Sequence, residues 1–458
     1  MNLRAILAIL LCKLLRAFSR LVHRGGTAMP GRWALKVCPD LLARLAKDVK
    51  TVVITGTNGK TTSARIVEQA FAEQGLSYFA NRSGANLISG ITTEFVMNCT
   101  LGGKMLHDYA VIECDEAASV RVFPQLKPRV VVVTNLFRDQ LDRYGEVTHT
   151  LDNIRRAVSA VPEATLCLNA DCSLCSSLAL SLPNRAVYFG LEQGAVPSRA
   201  KAQLSDATHC IRCKTEYEYD YVTYGHLGGF RCPSCGYRRA AADYAVTELI
   251  EQRAGGSTAA ISIKGEKCVL EINLPALYNV YNAIGALAAA MEMGVSRECA
   301  LRAPAVFKCG FGRMEEFRLG ESSVRMMLVK NPAGCNQVVD YLEGLRGRFT
   351  LVICLNDRGA DGTDVSWIWD AEFERLNAIA GRIDRVFVSG DRAQDMRVRL
   401  KYAGIPDGSI TVERDYDRLV SSLEGLRGDI CIMPTYTAML ELREVMIRRC
   451  GGAEFWEG

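Results

Sequence analysis

Two groups of residues have types and spacings that could carry chemistry. The first is Gly56-Thr57-Asn58-Gly59-Lys60-Thr61-Thr62. Backbone N–H groups of a glycine-rich turn, backed by the positive end of a following helix, cradle phosphates; Lys60 adds a charge, and Thr61 offers a hydroxyl to Mg²⁺. The usual eight-residue pattern would place Gly where Ile54 stands, so this is the shorter G-x-x-G-K-T form. Magnesium held on a nucleotide also needs carboxylates from a neighbouring strand end, and Glu113, Asp115 and Glu116 follow a buried-type Val-Ile run. The plainer reading of Asp115 and Glu116 is a capped, solvated helix start.

The second group is Cys210, Cys213, Cys232 and Cys235, two C-x-x-C pairs separated by eighteen residues. That spacing is expected of a four-thiolate Zn²⁺ site, and four thiolates leave no open position for water, so such a metal is structural. Apparent zinc-binding energies of ~10–16 kcal/mol in small peptides suffice to fold a segment this poor in aliphatic residues. Tyr217, Tyr219, Tyr221, Tyr224 and Phe230 lie between the pairs and could stack on bases, but Glu216, Glu218 and Asp220 accompany them. The charge argues against nucleic acid as a partner. Cys172 and Cys175 lack a second pair at ribbon spacing and read as part of an ordinary helix.

The elements that must position these residues are legible in the apolar pattern. Thr51 to Thr55 is a β-branched run leading into the loop, and helical periodicity follows from Ser63 to Gln74. Further strand-like runs at Tyr109–Glu113 and Val130–Asn135, separated by helix-length segments, predict an α/β fold with a mostly parallel sheet and helices on both faces. Residues 205–239 change texture to Cys, Tyr, Gly and charge and read as an insertion. After Gly310 a second alternation, with strands at Arg325–Val329, Phe349–Leu355, Arg385–Ser389 and Asp429–Met433, predicts a smaller α/β domain. The expected division is an N-terminal basic hydrophobic helical segment (1–40), a central ATP-binding domain (41–310) carrying the zinc-ribbon insertion (205–239), and a C-terminal α/β domain (311–458).

The chain has 458 residues, 49% of them hydrophobic, with 55 Lys and Arg against 51 Asp and Glu. This excludes a disordered protein, and the weak net charge of +4 does not single out nucleic acid. Most of the eighteen cysteines sit singly among apolar residues, as reduced core thiols do in a cytoplasmic protein. Ala5 to Cys12 is too short an uncharged run to span a bilayer, and no cleavage site follows it. With Lys13, Arg16, Arg20 and Arg24 it forms a basic hydrophobic helix that suits either peripheral contact with an anionic membrane surface or packing on the protein's own body.

The loop closely resembles the ATP loop of the Mur ligases, which join amino acids to peptidoglycan precursors. Other segments resemble that family in the same order: Thr134-Asn135 through Asp139-Gln140 to Tyr144, Leu168-Asn169-Ala-Asp171, Asn279-Val-Tyr-Asn282 and Gly312-Arg313-Met-Glu315. The resemblance is closer to one branch of the family, the synthetase subunits of lipid II isoglutaminyl synthases. It rests on the shortened N-terminus, the four-cysteine insertion, Leu328-Val-Lys330-Asn331-Pro332 and Asn356-Asp357 followed by Ala360-Asp361-Gly362-Thr-Asp364.

The resemblance implies ATP and Mg²⁺ held by Gly56 to Thr62, Glu113, Asn135, Asn279 and Arg313. It implies ATP-dependent amidation of the α-carboxyl of D-glutamate in the lipid II stem peptide, through an acyl phosphate, to D-isoglutamine. The chain offers no obvious glutaminase, and only five His are present. Ammonia is therefore expected from a GatD-like glutamine amidotransferase subunit, whose triad an Asp of this chain completes: Asp364, with Asp357 and Asp361 as rivals. Trp367, Trp369 and Phe373 suit either that interface or the domain core. Pro434 to Met439 suits either the site or a helix cap.

Departures from ordinary Mur ligases are Gln140 where a magnesium-binding His is usual, no lysine between Lys127 and Lys201, and Lys330 in place of an acidic residue. The competing readings are an amino-acid-adding Mur-type or folylpolyglutamate-type ligase, a nucleic-acid-binding zinc-ribbon ATPase, and a scaffold whose nucleotide site regulates assembly.

Overall fold

In a computed structural model, residues 2–21, 28–82, 85–138, 147–198, 206–253, 255–307 and 313–450 are described. Two compact units divide the chain, one formed by Met1–Phe137 and Val147–Phe307, the other by Arg138–Glu146 and Lys308–Gly458.

The first unit is built on a nine-stranded sheet. Its strands are β1 (Lys50–Thr55), β2 (Tyr78–Ala80), β3 (Tyr109–Glu113), β4 (Val130–Val133), β5 (Thr165–Asn169) and β6 (Ala186–Leu191), then β9 (Tyr244–Arg253), β10 (Gly256–Ile263) and β11 (Glu266–Ile272). Between β6 and β9 a separate hairpin, β7 (Glu218–Tyr224) and β8 (Leu227–Arg231), belongs to the cysteine insertion. The sheet order is β11-β10-β9-β6-β5-β4-β1-β3-β2. The strands from β2 to β9 pair in parallel, and β10 and β11 extend that edge antiparallel. Val52, Val53, Ile54 and the four valines of β4 are essentially without solvent exposure, as parallel strands covered on both faces must be.

The first element, helix α1 (Leu3–Leu21), packs on α2 (Met29–Val37), which packs on α3 (Ile88–Met97). The contact is close: a Cβ on Gly31 would lie 1.9 Å from the Ser89 carbonyl oxygen, and the Gly31 N–H donates to Thr93 Oγ1 at 2.9 Å. No helix among the described residues is long and apolar enough to cross a membrane.

The second unit holds a six-stranded sheet. Its strands are β12 (Arg313–Leu319), β13 (Ser322–Met327), β14 (Phe349–Cys354), β15 (Ile383–Ser389), β16 (Ile410–Val412) and β17 (Asp429–Pro434), in the order β12-β13-β17-β14-β15-β16. All pairs are parallel except the β12–β13 hairpin. Its core packs Val352, Ile430 and Ile432 against Leu419, Leu423, Met439 and Leu442.

Candidate functional site

Strand β1 lies inside its sheet, third from the β2 edge and flanked by β4 and β3, so the loop that leaves its carboxyl end is supported from both sides. From β4 the chain turns out of the sheet after Val133 rather than continuing to Asn135, because Thr134 and Asn135 are engaged with the loop. The Asn135 side chain accepts from the Asn58 N–H at 3.0 Å and donates to the Asn58 carbonyl at 3.1 Å; the Thr134 hydroxyl donates to the same carbonyl at 2.7 Å. Thr57 donates its N–H to the Asn135 carbonyl at 2.9 Å, and its hydroxyl both donates to the Phe137 carbonyl and accepts from the Phe137 N–H.

Both loop glycines are required by space and conformation. Gly56 has φ +119°, and a Cβ there would lie 2.4 Å from Thr134 Oγ1. Gly59 has φ +86°, and a Cβ there would lie 2.0 Å from Asn282 Oδ1. Asn282 is thus the residue that approaches the loop. Asn279, chosen from the sequence as its nucleotide ligand, lies behind it, donating to the Pro275 carbonyl at 2.7 Å and accepting from Asn282 at 3.2 Å.

The helix after the loop starts at Lys60, three residues before its apolar periodicity begins, and runs to Glu73 without a side-chain cap at Gly59. Its first-turn N–H groups are the donors an anion takes up. Lys60 Nζ lies 2.5 Å from the Gly56 carbonyl and 2.7 Å from Glu116 Oε1, while the Thr61 hydroxyl donates to Glu113 Oε2 at 2.6 Å. Thr62 is buried. Glu113 is held in turn by Asn81, which bonds both its N–H and its carbonyl. Of the three carboxylates, Asp115 is buried and braces the turn before the next helix, accepting from Ala117 and Ala118 N–H, and Glu116, also buried, pairs with the loop lysine. A hydroxyl and a carboxylate side by side at the end of a phosphate loop are the hard oxygen donors Mg²⁺ takes.

Gln140 lies outside the described residues, as does the side chain of Arg313, whose backbone opens β12.

The four thiols of Cys210, Cys213, Cys232 and Cys235 all lie within 4.8 Å of one another and form the one such metal-type group among the described residues. Sulfurs of a tetrahedral zinc with bonds of ~2.3 Å stand about 3.8 Å apart. The Cys210–Cys235 and Cys213–Cys232 separations of 3.5 and 3.4 Å fit that geometry. The two halves repeat one fold. Cys210 N–H donates to Thr215 and Cys232 N–H to Tyr237, and the positive-φ residue is Lys214 in one and Gly236 in the other. Tyr217, Phe230 and Tyr237 pack beneath the thiols, and Tyr224 stacks on Phe137 at 5.7 Å. These rings are core rather than a platform for bases. The Cys172 and Cys175 thiols are buried, with His226 Nε2 at 3.4 Å from Cys172.

In the second unit the three aspartates differ. Asp361 is buried and accepts from Thr437 N–H and hydroxyl, Asp357 pairs with Arg392 at 2.8 Å, and Asp364, half-buried, accepts from the Ser366 N–H at 2.8 Å. Thr435 and Thr437, at the end of β17, bond Asn356 at the end of β14. Trp367 and Phe373 are buried, whereas Trp369 is 50% exposed and lies edge-on to the exposed Tyr402.

Residues 54–230 match the family model for the Mur ligase middle domain, and residues 328–439 match that for the MurT ligase C-terminal domain. The chain is 34% identical, over 98% of both chains, to the lipid II isoglutaminyl synthase (glutamine-hydrolyzing) subunit MurT of Streptococcus pneumoniae. It is also 34% identical to that of Staphylococcus aureus, over 98% of this chain and 99% of the other. Among solved structures, the MurF ligase of Thermotoga maritima in complex with ADP superposes with a TM-score of 0.62 at 13% identity, covering 91% of this chain and 84% of that one. The last likeness concerns the fold alone.

Proposed function

The chain belongs to the MurT family of Mur-ligase-fold proteins, and from that premise we propose that it is the ATP-dependent ligase subunit of a lipid II isoglutaminyl synthase. The observation that carries this reading is end-to-end similarity to two such subunits, combined with a phosphate loop whose lysine pairs with Glu116 and whose threonine donates to Glu113.

In this reading the α-carboxylate of D-glutamate in the lipid II stem peptide attacks the γ-phosphorus of ATP. An acyl phosphate forms and ADP leaves. Ammonia then attacks the acyl carbon, phosphate departs, and a proton is lost, leaving D-isoglutamine. Little covalent chemistry falls to the protein; its work is positioning and charge neutralisation. Gly56 to Thr62 hold the phosphates, Asn135 fixes the loop backbone, and Asn279 holds Asn282 against Gly59. Thr61 and Glu113 would hold Mg²⁺, which supplies charge stabilisation on the transferring phosphoryl oxygens. Arg313 is assigned to the nucleotide on the family resemblance. Zn²⁺ is assigned to the four thiols as a structural ion.

Ammonia would come from a GatD-like glutamine amidotransferase subunit. Asp364 is the better of the three aspartates for completing that partner's triad, since Asp357 and Asp361 are held by Arg392 and Thr437. The exposed Trp369–Tyr402 pair suits the same interface. The proposed division of labour places nucleotide chemistry in residues 41–310 and partner contact in 311–458, with the protein on the cytoplasmic side of the membrane.

The test is incubation of the purified chain with lipid II, ATP, Mg²⁺ and ammonium, with the stem peptide read by mass spectrometry. Loss of one mass unit from the substrate, dependent on ATP and abolished by Lys60→Ala, is expected. An unchanged acid in a preparation that binds ATP would overturn the reading in favour of an amino-acid-adding ligase or a scaffold.

A further inference from the structure

Helix α1 is built the wrong way round for a helix that serves only its own fold. Its inward face is Ala5, Ala8, Ile9 and Cys12, all with no exposed surface. Its outward face is Leu3, Leu7, Leu10, Leu14 and Phe18, exposed by 73, 51, 37, 68 and 65%. These follow one another at intervals of four, three, four and four residues and form a single stripe. Fully burying one such side chain is worth ~1.5–3 kcal/mol, and the fold forgoes a share of that at each of five positions in one helix. The helix is nonetheless fixed: Lys13 Nζ donates to the Cys99 carbonyl at 2.6 Å, and Arg4 bonds the Val37 carbonyl.

The charge around the stripe indicates what covers it. Residues 1–39 contain seven Lys and Arg and no Asp or Glu, although the whole chain has a net charge of only +4, so the remainder is net acidic. The adjoining α2 adds Met29 and Trp33, 40 and 48% exposed, with Lys36 Nζ 4.3 Å from the indole centroid. A protein partner would meet this surface with carboxylates of its own choosing. A cationic apolar stripe without a single acid, beside a tryptophan, is the pattern that lies in the headgroup layer of an anionic bilayer.

We propose that α1, with Trp33 of α2, is a membrane-docking surface that lays this protein on anionic phospholipid. The proposal rests on the reading that the substrate is lipid-linked, and it supplies how a chain with no spanning helix among its described residues reaches such a substrate. At 1.5 Å per residue the 19-residue helix would lie flat over about 28 Å of bilayer.

The experiment is flotation of the full-length chain with phosphatidylcholine vesicles, with and without phosphatidylglycerol, in the absence of ATP and lipid II. The variant carries Leu7→Ser, Leu14→Ser and Phe18→Ser, all on exposed positions, and its melting temperature is compared with the parent's. The parent should float only with anionic vesicles, and the triple variant should lose at least about tenfold in partitioning at unchanged melting temperature. Absence of flotation, or equal flotation of the triple variant, overturns the proposal. So does a triple variant that has lost self-association or its glutaminase partner in size-exclusion chromatography, since the stripe would then be a protein interface. A melting temperature lowered by the variant shifts the decision to Trp33→Ser alone, read against the same vesicles. A chain that floats but amidates nothing would overturn the functional reading and leave the docking surface standing.

Discussion

The hydroxyl of Thr61 donates a 2.6 Å hydrogen bond to the carboxylate of Glu113, joining the first turn of the phosphate-loop helix to the end of the neighbouring parallel strand β3. Two residues 52 positions apart meet because β1 and β3 pair directly, with Ile54 opposite Glu113.

Replacing Glu113 by Gln keeps the shape and the hydrogen bond while removing the charge. Substrate-dependent ATP turnover should fall by about 10²–10³-fold and no longer respond to Mg²⁺ concentration, because one charge on the transferring group goes uncompensated. The melting temperature should change little. Turnover measured over a magnesium titration would decide it; a variant that keeps the parent's magnesium response would remove Glu113 from the site.

Asn135 bonds both the N–H and the carbonyl of Asn58. Truncation to Ala removes the side-chain clasp, although the Thr134 hydroxyl still donates to the Asn58 carbonyl, and nucleotide affinity by calorimetry should drop about tenfold as the loop backbone loosens. Asn135→Asp retains an acceptor but no donor and should fall between the two.

If the cysteine cluster holds the structural zinc assigned to it, removing that ion should act locally. A chelator, or Cys232→Ser, should release bound zinc and deprotect residues 206–239 in hydrogen exchange, since their small core of Tyr217, Phe230 and Tyr237 lies against the thiols. Strands β1 and β4 should keep their protection. Global deprotection, or protection unchanged after metal release, would contradict a structural role confined to the ribbon.

Glu292 receives Lys264 at 2.8 Å, Arg185 at 2.6 Å and the Tyr244 hydroxyl at 2.8 Å. Burial raises its carboxyl, but these three partners outweigh burial and leave it below the usual glutamate range. A depressed carboxylate stabilises the fold above its unfolded value of about 4.5 and loses that contribution as pH falls through the lower folded value. Glu292→Gln should therefore be less stable than the parent at neutral pH and converge on it as the solution is acidified below that window. Urea midpoints across the range would show the convergence.

Asp364→Asn should abolish glutamine-supported amidation in the presence of the glutaminase partner, by about 10²-fold or more, while ammonium-supported amidation persists. Asp361→Asn should instead lower the melting temperature, because it loses its bonds to Thr437. A parallel loss of both activities in Asp364→Asn would place that residue elsewhere in the mechanism.

The sequence was informative where chemistry is written in consecutive residues. The strand, loop and helix at 50–73 and the four cysteines are local patterns, and both stand in the structure close to where spacing puts them. Three relationships were not legible. That Glu116 pairs with Lys60, that Asn282 closes on Gly59, and that Asn135 clasps Asn58 all depend on which strands and helices lie side by side, and β4 and β3 flank β1 out of sequence order. The helix begins at Lys60 rather than Ser63 because its first turn carries loop residues, not apolar ones. In the second unit the apolar alternation does not show β12, which pairs with β13 in an antiparallel edge hairpin, or β16, a three-residue strand at the opposite edge. For the N-terminal helix the reading as a helix packed on the protein's own body holds for one face, while the other faces outward.

Trp33 and Trp369 are each about half exposed, one in each unit, while Trp367 is buried. An indole leaving water for an apolar surface emits at shorter wavelength, so once Trp456, which lies outside the described residues, is replaced by Phe, the chain carries two intrinsic optical reporters for two different encounters. With Trp369→Phe, a blue shift on adding anionic vesicles reports the bilayer through Trp33; with Trp33→Phe, a blue shift on adding the glutaminase subunit reports that docking through Trp369. The two associations can then be titrated separately, each with its own variant and without a label.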